Sequence, residues 1–179
     1  MGAWGAWHVD AFLTLCLPSL LSPRNLPVFR QLHRLKLVVF TTRHDRGVMT
    51  ASPLWPRLAA LMPIEFAILP AAGVQASIAM QQRVWWNAID RVKSDGSYLF
   101  FMPPDVVWSD GSMEAIGRAM DAGRRIVIVP WTLRVVAETF APVARARLAG
   151  AQTAGIGGRE LAGLALEHLH PLMSAYRLD

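Results

Sequence analysis

Tyr98 to Ser112 reads YLFFMPPDVVWSDGS, an apolar run that stops on two prolines and then a carboxylate. Tyr98, Leu99, Phe100, Phe101 and Met102 are unbroken apolar residues, the pattern of a central strand covered on both faces by helices. Pro103 and Pro104 have no N–H to give to a ladder, so pairing is expected to end where they begin. Asp105 is thereby set at the carboxyl edge of the sheet, where open α/β folds bind their ligands.

Outward from this stretch, strand-like and helix-like windows alternate. LKLVVFTT (Leu35 to Thr42) is β-branched and apolar and predicts a strand. SPLWPRLAALM (Ser52 to Met62) predicts a short helix with a serine cap. IEFAILP (Ile64 to Pro70) predicts a second strand. GVQASIAMQQRVWWNAIDRVKSDG predicts a long helix with Ile78, Trp85, Ile89 and Val92 on its inner stripe, closed by Gly96. SMEAIGRAMDAG predicts a helix stopped by Gly123, and RRIVIVP (Arg124 to Pro130) a fourth strand. Trp131 to Arg147 and RELAGLALEHLHPL read as helical, with the glycine-rich AGAQTAGIGG as a loop between them. Strands separated by helices imply parallel pairing through right-handed crossovers. The expected fold is α/β, a three-layer sandwich with a mostly parallel, Rossmann-like sheet, in a single domain over 1–179.

Composition fits a soluble globular chain, since 179 residues at 53% hydrophobic content bury a sizeable core. The net charge of +5 comes from scattered arginines without interleaved aromatics, which argues against a nucleic-acid partner. The apolar N-terminus, MGAWGAWHVDAFLTLCLPSLL, is interrupted by His8 and Asp10 and cut by Pro18 short of the roughly 20 residues a spanning helix needs. A core helix over Val9 to Leu17, with Phe12, Leu13 and Cys16 on one face, is expected there instead, and no transmembrane segment anywhere. The lone Cys16 excludes an internal disulfide and suits a reducing compartment, so a cytoplasmic location is expected.

Glycine-rich dinucleotide and phosphate loops, H-E-x-x-H and G-x-S-x-G are all missing from the sequence. His168 and His170, two apart, face different sides of a helix and do not suggest a metal pair. What remains is the carboxylate edge of Asp105, Ser109, Asp110 and Ser112. A nucleoside diphosphate carries charge that Mg²⁺ or Mn²⁺ neutralises while held by one or two protein carboxylates, and Asp105 is placed for that. Asp110 or Ser112 reads either as the cap of the next helix, with Glu114 in its first turn, or as a ligand contact.

The succession of strand LKLVVFTT, helix, strand IEFAILP, long helix, then YLFFMPPDVVWSDGS resembles the nucleotide-binding half of a glycosyltransferase of the A-type fold. WGAWHVDAFLTLCLPSLLSPRNLP and RELAGLALEHLHP further resemble a bacterial group of glycosyltransferase-like proteins, and the likeness spans Trp4 to Pro171. In that superfamily a D-x-D motif ends the strand after the long helix, and its last aspartate holds the metal of the sugar nucleotide. Here the window falls on Pro103, Pro104 and Asp105, so only the final acid matches. The resemblance implies a nucleotide-sugar donor, Mn or Mg at Asp105, and nucleotide contacts from Thr42 and Asp45 in TTRHD, which otherwise read as a polar turn. It gives no acceptor, and no acceptor region or catalytic base is identifiable beyond Arg147. It also implies a first strand before Trp4, where three residues stand. The expectation is a domain lacking that strand and a C-terminal acceptor region, with exposed apolar surface that a second copy would cover. The competing expectation is a non-catalytic α/β module that binds a partner protein, which an exposed Trp85 and Trp86 pair would favour.

Overall fold

β-branched and aromatic side chains crowd Leu37–Thr41, and in the computed structural model this stretch is strand β1. The structure describes residues 1–70, 78–93, 96–128, 132–150 and 155–175. The other elements, in chain order, are helix α1 (Ala6–Ala11), a π-helical turn (Phe12–Cys16), α2 (Leu17–Leu20) and α3 (Leu26–Leu32) before β1. After it come α4 (Arg43–Thr50), α5 (Trp55–Leu61), β2 (Ile64–Ile68), α6 (Ile78–Val92), α7 (Ser112–Asp121), α8 (Ala137–Gly150), α9 (Gly158–Glu167) and α10 (Pro171–Ser174). The protein is mixed α/β, with a two-stranded parallel sheet among the described residues. It divides into two compact units, Met1–Leu13 with Leu35–Val106, and Thr14–Arg34 with Val107–Asp179. The division falls inside the π-helical turn, just ahead of Pro18, whose missing N–H interrupts the helical ladder.

In the first unit β1 is hydrogen-bonded along both edges. On one side it pairs with β2 in register from Leu37↔Ile64 to Thr41↔Ile68. The Leu69 N–H extends that ladder to the Thr41 carbonyl at 2.8 Å. On the other side Met1–Ala3 runs parallel to it, bridged at Gly2↔Phe40. There the Phe40 N–H donates to the Met1 carbonyl at 2.9 Å and the Ala3 N–H to the Phe40 carbonyl at 3.0 Å. The order is thus Met1–Ala3, β1, β2, and the crossover from β1 to β2 passes through α4 and α5. Alternation divides the side chains between two faces. Phe66 stacks on Trp55 of α5 at 5.5 Å, with the Arg46 guanidinium of α4 5.0 Å from its ring. On the other face Arg91 of α6 lies 5.8 Å from the Phe40 ring and pairs with Glu65, which Lys36 also holds at 2.7 Å. These two cations hold the Glu65 carboxyl below its ordinary range.

Two of the expected strands are not assigned among the described residues. In Tyr98–Met102 the side chains of Tyr98, Phe100 and Phe101 are exposed. Ile126 to Ile128 are exposed as well, while Val129 and Pro130 lie outside the described residues. α6 is also turned from its expected setting: Val84 is buried, whereas Ile78 and Trp85 of the expected stripe are exposed and Ile89 and Val92 half-buried. The expected N-terminal helix does form, with Phe12 and Cys16 fully buried, and α7 ends at Gly123 as its sequence predicts. Gly123 (φ 75°) closes a Schellman turn, its N–H on the Met120 carbonyl and that of Arg124 on Ala119.

The second unit has a helical core of Leu15, Phe140, Ala144, Leu148 and Ile156, flanked by Val107, Leu161 and Leu164. α3 packs on α7, and one buried side chain joins them. Asn25 donates through Nδ2 to the Ser19 and Ser109 carbonyls at 2.9 and 3.0 Å, and its Oδ1 accepts the Met113 N–H at 3.0 Å. Arg134–Val136, expected as the start of a helix, instead pairs antiparallel with His168–His170.

Asn25→Ala leaves the Met113 N–H without its partner and takes one of two donors from the Ser19 and Ser109 carbonyls, and is expected to cost about 2 kcal/mol in urea unfolding. Asn25→Asp should cost more, because a carboxylate would face two carbonyl oxygens in place of the amide N–H groups. A stability loss below about 1 kcal/mol for both would contradict this role.

A second expectation concerns the Met1 ammonium, which donates to the Val38 carbonyl at 2.9 Å. Burial lowers its pKa from 8.0 to about 6. The folded chain therefore holds this proton less well than the unfolded chain, and stability should rise as pH increases from about 6 to 8, by about 2–3 kcal/mol. Urea titrations across that range measure the slope. Adding residues before Met1 replaces the ammonium with an uncharged peptide N–H and should remove this part of it.

Candidate functional site at the carboxyl end of β1

Four residues carry the functional expectations: Thr42, Asp45, Asp105 and Asp110. Thr42 follows the last residue of β1 with extended backbone (φ −82°, ψ 163°) and caps α4. Its Oγ1 accepts the Asp45 N–H at 3.1 Å and donates to Asp45 Oδ2 at 2.8 Å. The Gly5 N–H reaches the same Oδ2 at 3.0 Å, from a backbone with φ 81° that favours glycine. Asp45 is buried in the first turn of α4, where its charge complements the helix dipole. Thr42 and Asp45 are thus brought together, and they fasten the turn after Met1–Ala3 to the start of α4. The T-x-x-D spacing is a shortened form of the capping box, and it signals a helix where the sequence suggested only a polar turn.

Asp105 stands elsewhere in this unit, exposed in a turn after the buried Pro104. Among the described residues its carboxylate joins no hydrogen bond or ion pair, and no contact links it to Thr42 or Asp45. No three acidic, histidine or cysteine side chains gather into a metal-binding group among the described residues. Asp105 therefore offers one hard oxygen ligand rather than a preformed centre. That fits a cation taking its other ligands from a diphosphate and water, and not a cation caged by protein.

Asp110 belongs to the second unit and performs a different task. Its Oδ1 accepts the Arg24 N–H at 2.9 Å, and its own N–H donates to the Ile156 carbonyl at 2.8 Å. The cap position of α7 is Gly111, so neither Asp110 nor Ser112 caps the helix. Ser112 Oγ lies 3.0 Å from Ser109 Oγ. Glu114 does occupy the first turn, as expected, bonded to Arg24 Nε and Arg118 Nη1 at 2.7 Å each. The Arg24 hydrogen bond holds the Glu114 carboxyl below its ordinary value and raises the guanidinium.

Two residues that the sequence did not single out lie at the same end of the first unit. Thr41, the last residue of β1, is fully buried, and neither its hydroxyl nor the buried Trp4 indole N–H just after Met1–Ala3 has a partner among the described residues. Buried polar atoms are seldom left unsatisfied, which marks this edge as polar rather than simply packed. Comparison with protein-family models, curated proteins and solved structures gives no match. No helix among the described residues is long and apolar enough to cross a membrane.

Removing the Asp45 carboxylate should act on stability. Asp45→Ala is expected to cost about 2 kcal/mol, because the Gly5 N–H and the Thr42 hydroxyl lose a charged acceptor. Asp105→Ala, with nothing bonded to the carboxylate, should leave the melting temperature nearly unchanged. Comparable losses in the two variants would contradict this assignment.

Proposed function

We propose that the chain is the donor-binding portion of a sugar-nucleotide-dependent glycosyltransferase. The observation that carries this reading is the parallel order Met1–Ala3, β1, β2 with side chains from helices on either face. A three-layer, Rossmann-like sheet would extend this arrangement, and in such sheets ligands bind beyond the carboxyl ends of the strands. Thr41, Thr42 and Gly5 lie at that end, and Asp105 follows the apolar run after α6. In this reading Thr42 and Asp45 act by holding the edge in shape, Asp105 supplies one ligand to the Mg²⁺ or Mn²⁺ that accompanies the diphosphate, and the cation offsets charge on the departing group. Asp110 serves as a structural latch and not as a nucleotide ligand.

A second reading, a non-catalytic module that binds a partner protein, is favoured by one observation: Trp85 and Trp86 are 44% and 63% exposed. Calorimetric titration separates the two. Nucleoside diphosphates should bind the full chain with Mn²⁺ and at least about tenfold more weakly with chelator, and Asp105→Ala should remove the metal-dependent part while leaving stability intact. If no nucleoside diphosphate binds with or without metal, the donor-binding reading fails.

A further inference from the structure

α6 turns Val84 into the first unit and sets Arg91 against Phe40 and Glu65. Trp86, two residues from Val84 and so nearly opposite on the helix, is the more exposed of its two tryptophans. Trp85, beside it, contacts the Phe101 ring at 5.7 Å, which joins α6 to the exposed Tyr98, Phe100 and Phe101. These five aromatic residues are between 43% and 63% exposed. With about 150–250 Å² per aromatic side chain, the joined Trp85, Trp86 and Phe101 present roughly 300 Å² of apolar surface. Exposed apolar patches of a few hundred Å² on a folded protein mark interaction sites. One side of a standard protein interface buries about 800 Å², a little over half of it apolar, so these side chains would form the apolar centre of one such side.

The charges flanking the tryptophans indicate what covers it. Arg83 and Asp90 are seven residues apart, two helical turns, and so share the face that carries Trp86. Arg83 is exposed and joins no ion pair among the described residues, whereas Asp90 holds Lys93 at 2.6 Å. The midpoint between Arg83 and Asp90 falls between Trp86 and Asn87. If two copies of the helix lie antiparallel about that point, Arg83 of each copy meets Asp90 of the other, and the Trp86 rings fall together at the centre. A two-fold axis makes this pairing twice with one surface, as an isologous interface requires.

We propose that two copies of this chain associate through α6 and the Tyr98–Phe101 run, antiparallel about Trp86, with two reciprocal Arg83–Asp90 ion pairs at the rim. Donor binding is not needed for this, so each reading stands or falls separately. The interface has a buried aromatic centre and a charged, solvent-accessible edge, the usual division between the groups that supply affinity and those that set register.

Sedimentation velocity on the full chain across a wide concentration range tests it. The wild type should dimerise. Trp86→Glu, at an exposed position that leaves folding intact by circular dichroism, should weaken the dimer about 100-fold, since an aromatic anchor is lost on both sides. Arg83→Glu and Asp90→Arg should each weaken it at least about fivefold, by turning two attractions into repulsions. The double variant Arg83→Glu/Asp90→Arg should recover most of the wild-type affinity, a rescue that damage to the fold would not produce. A wild type that stays monomeric at millimolar concentration overturns the proposal, as does a dimer indifferent to Trp86→Glu or a charge swap without recovery.

Discussion

β1 is the constraint around which the first unit is arranged. A five-residue strand bonded along both edges, with side chains packed on both faces, requires each neighbour to arrive in register. β2 meets the requirement along its full length. Met1–Ala3 meets it with three residues and an ammonium, which donates to Val38 where a peptide N–H would otherwise stand. A charge in that position is costly, and the depressed pKa of the amine is the expression of that cost. The same geometry fixes the residues that follow: Gly5 turns through positive φ, its N–H finds Asp45, and Asp45 in turn orients Thr42 at the start of α4.

The second unit answers the same requirement without a sheet among its described residues. Its two isolated backbone pairings, between Arg134–Val136 and His168–His170, are too few to organise it. Asn25 takes the part that a ladder would otherwise play, giving a second donor to the Ser19 and Ser109 carbonyls and an acceptor to the Met113 N–H, and so tying two distant segments with a single amide. An amide suits this because it donates twice and accepts from the same planar group, and it carries no charge into a fully buried position. Gly155 shows how close the packing is nearby. A Cβ there would lie 2.5 Å from Ser22 Oγ and 2.9 Å from the Asp110 Cβ, besides sitting at a φ of 66°.

Much of the local structure was legible, and the reasons differ by element. β1 and β2 were readable because β-branched and aromatic residues are bounded by turn signals, and the stop at Gly123 because glycine follows the last apolar position of a helix. Tyr98–Met102 misled on burial, because an unbroken apolar run describes how side chains prefer to be buried, whereas Tyr98, Phe100 and Phe101 are exposed. α6 misled by one position: its stripe was placed on Ile78 and Trp85, whereas Val84 is the buried residue, a rotation of about 100° per residue. Asn25 was invisible, since a lone asparagine beside a proline-bearing helix start reads as an ordinary turn. For the candidate site, the sequence located the residues at the end of β1 and missed what they do there, because T-x-x-D serves equally as a helix start and as a polar loop.

The three carboxylates of Asp45, Asp105 and Asp110 thus divide by availability, each in its own place in the fold, and that division bears on the chemistry open to them. A carboxylate already accepting from Gly5 and Thr42 could take up a ligand only by giving up bonds that hold α4 in place, so Asp45 suits shaping the edge better than contacting a nucleotide. Asp110 is committed in the same way to Arg24. Asp105 is the reverse case, exposed and unengaged among the described residues, so binding a cation there would break nothing. Its weakness is that one oxygen holds a divalent ion poorly. Affinity would have to come chiefly from the diphosphate, and a site built this way would bind the metal–nucleotide complex as a unit far better than either component alone.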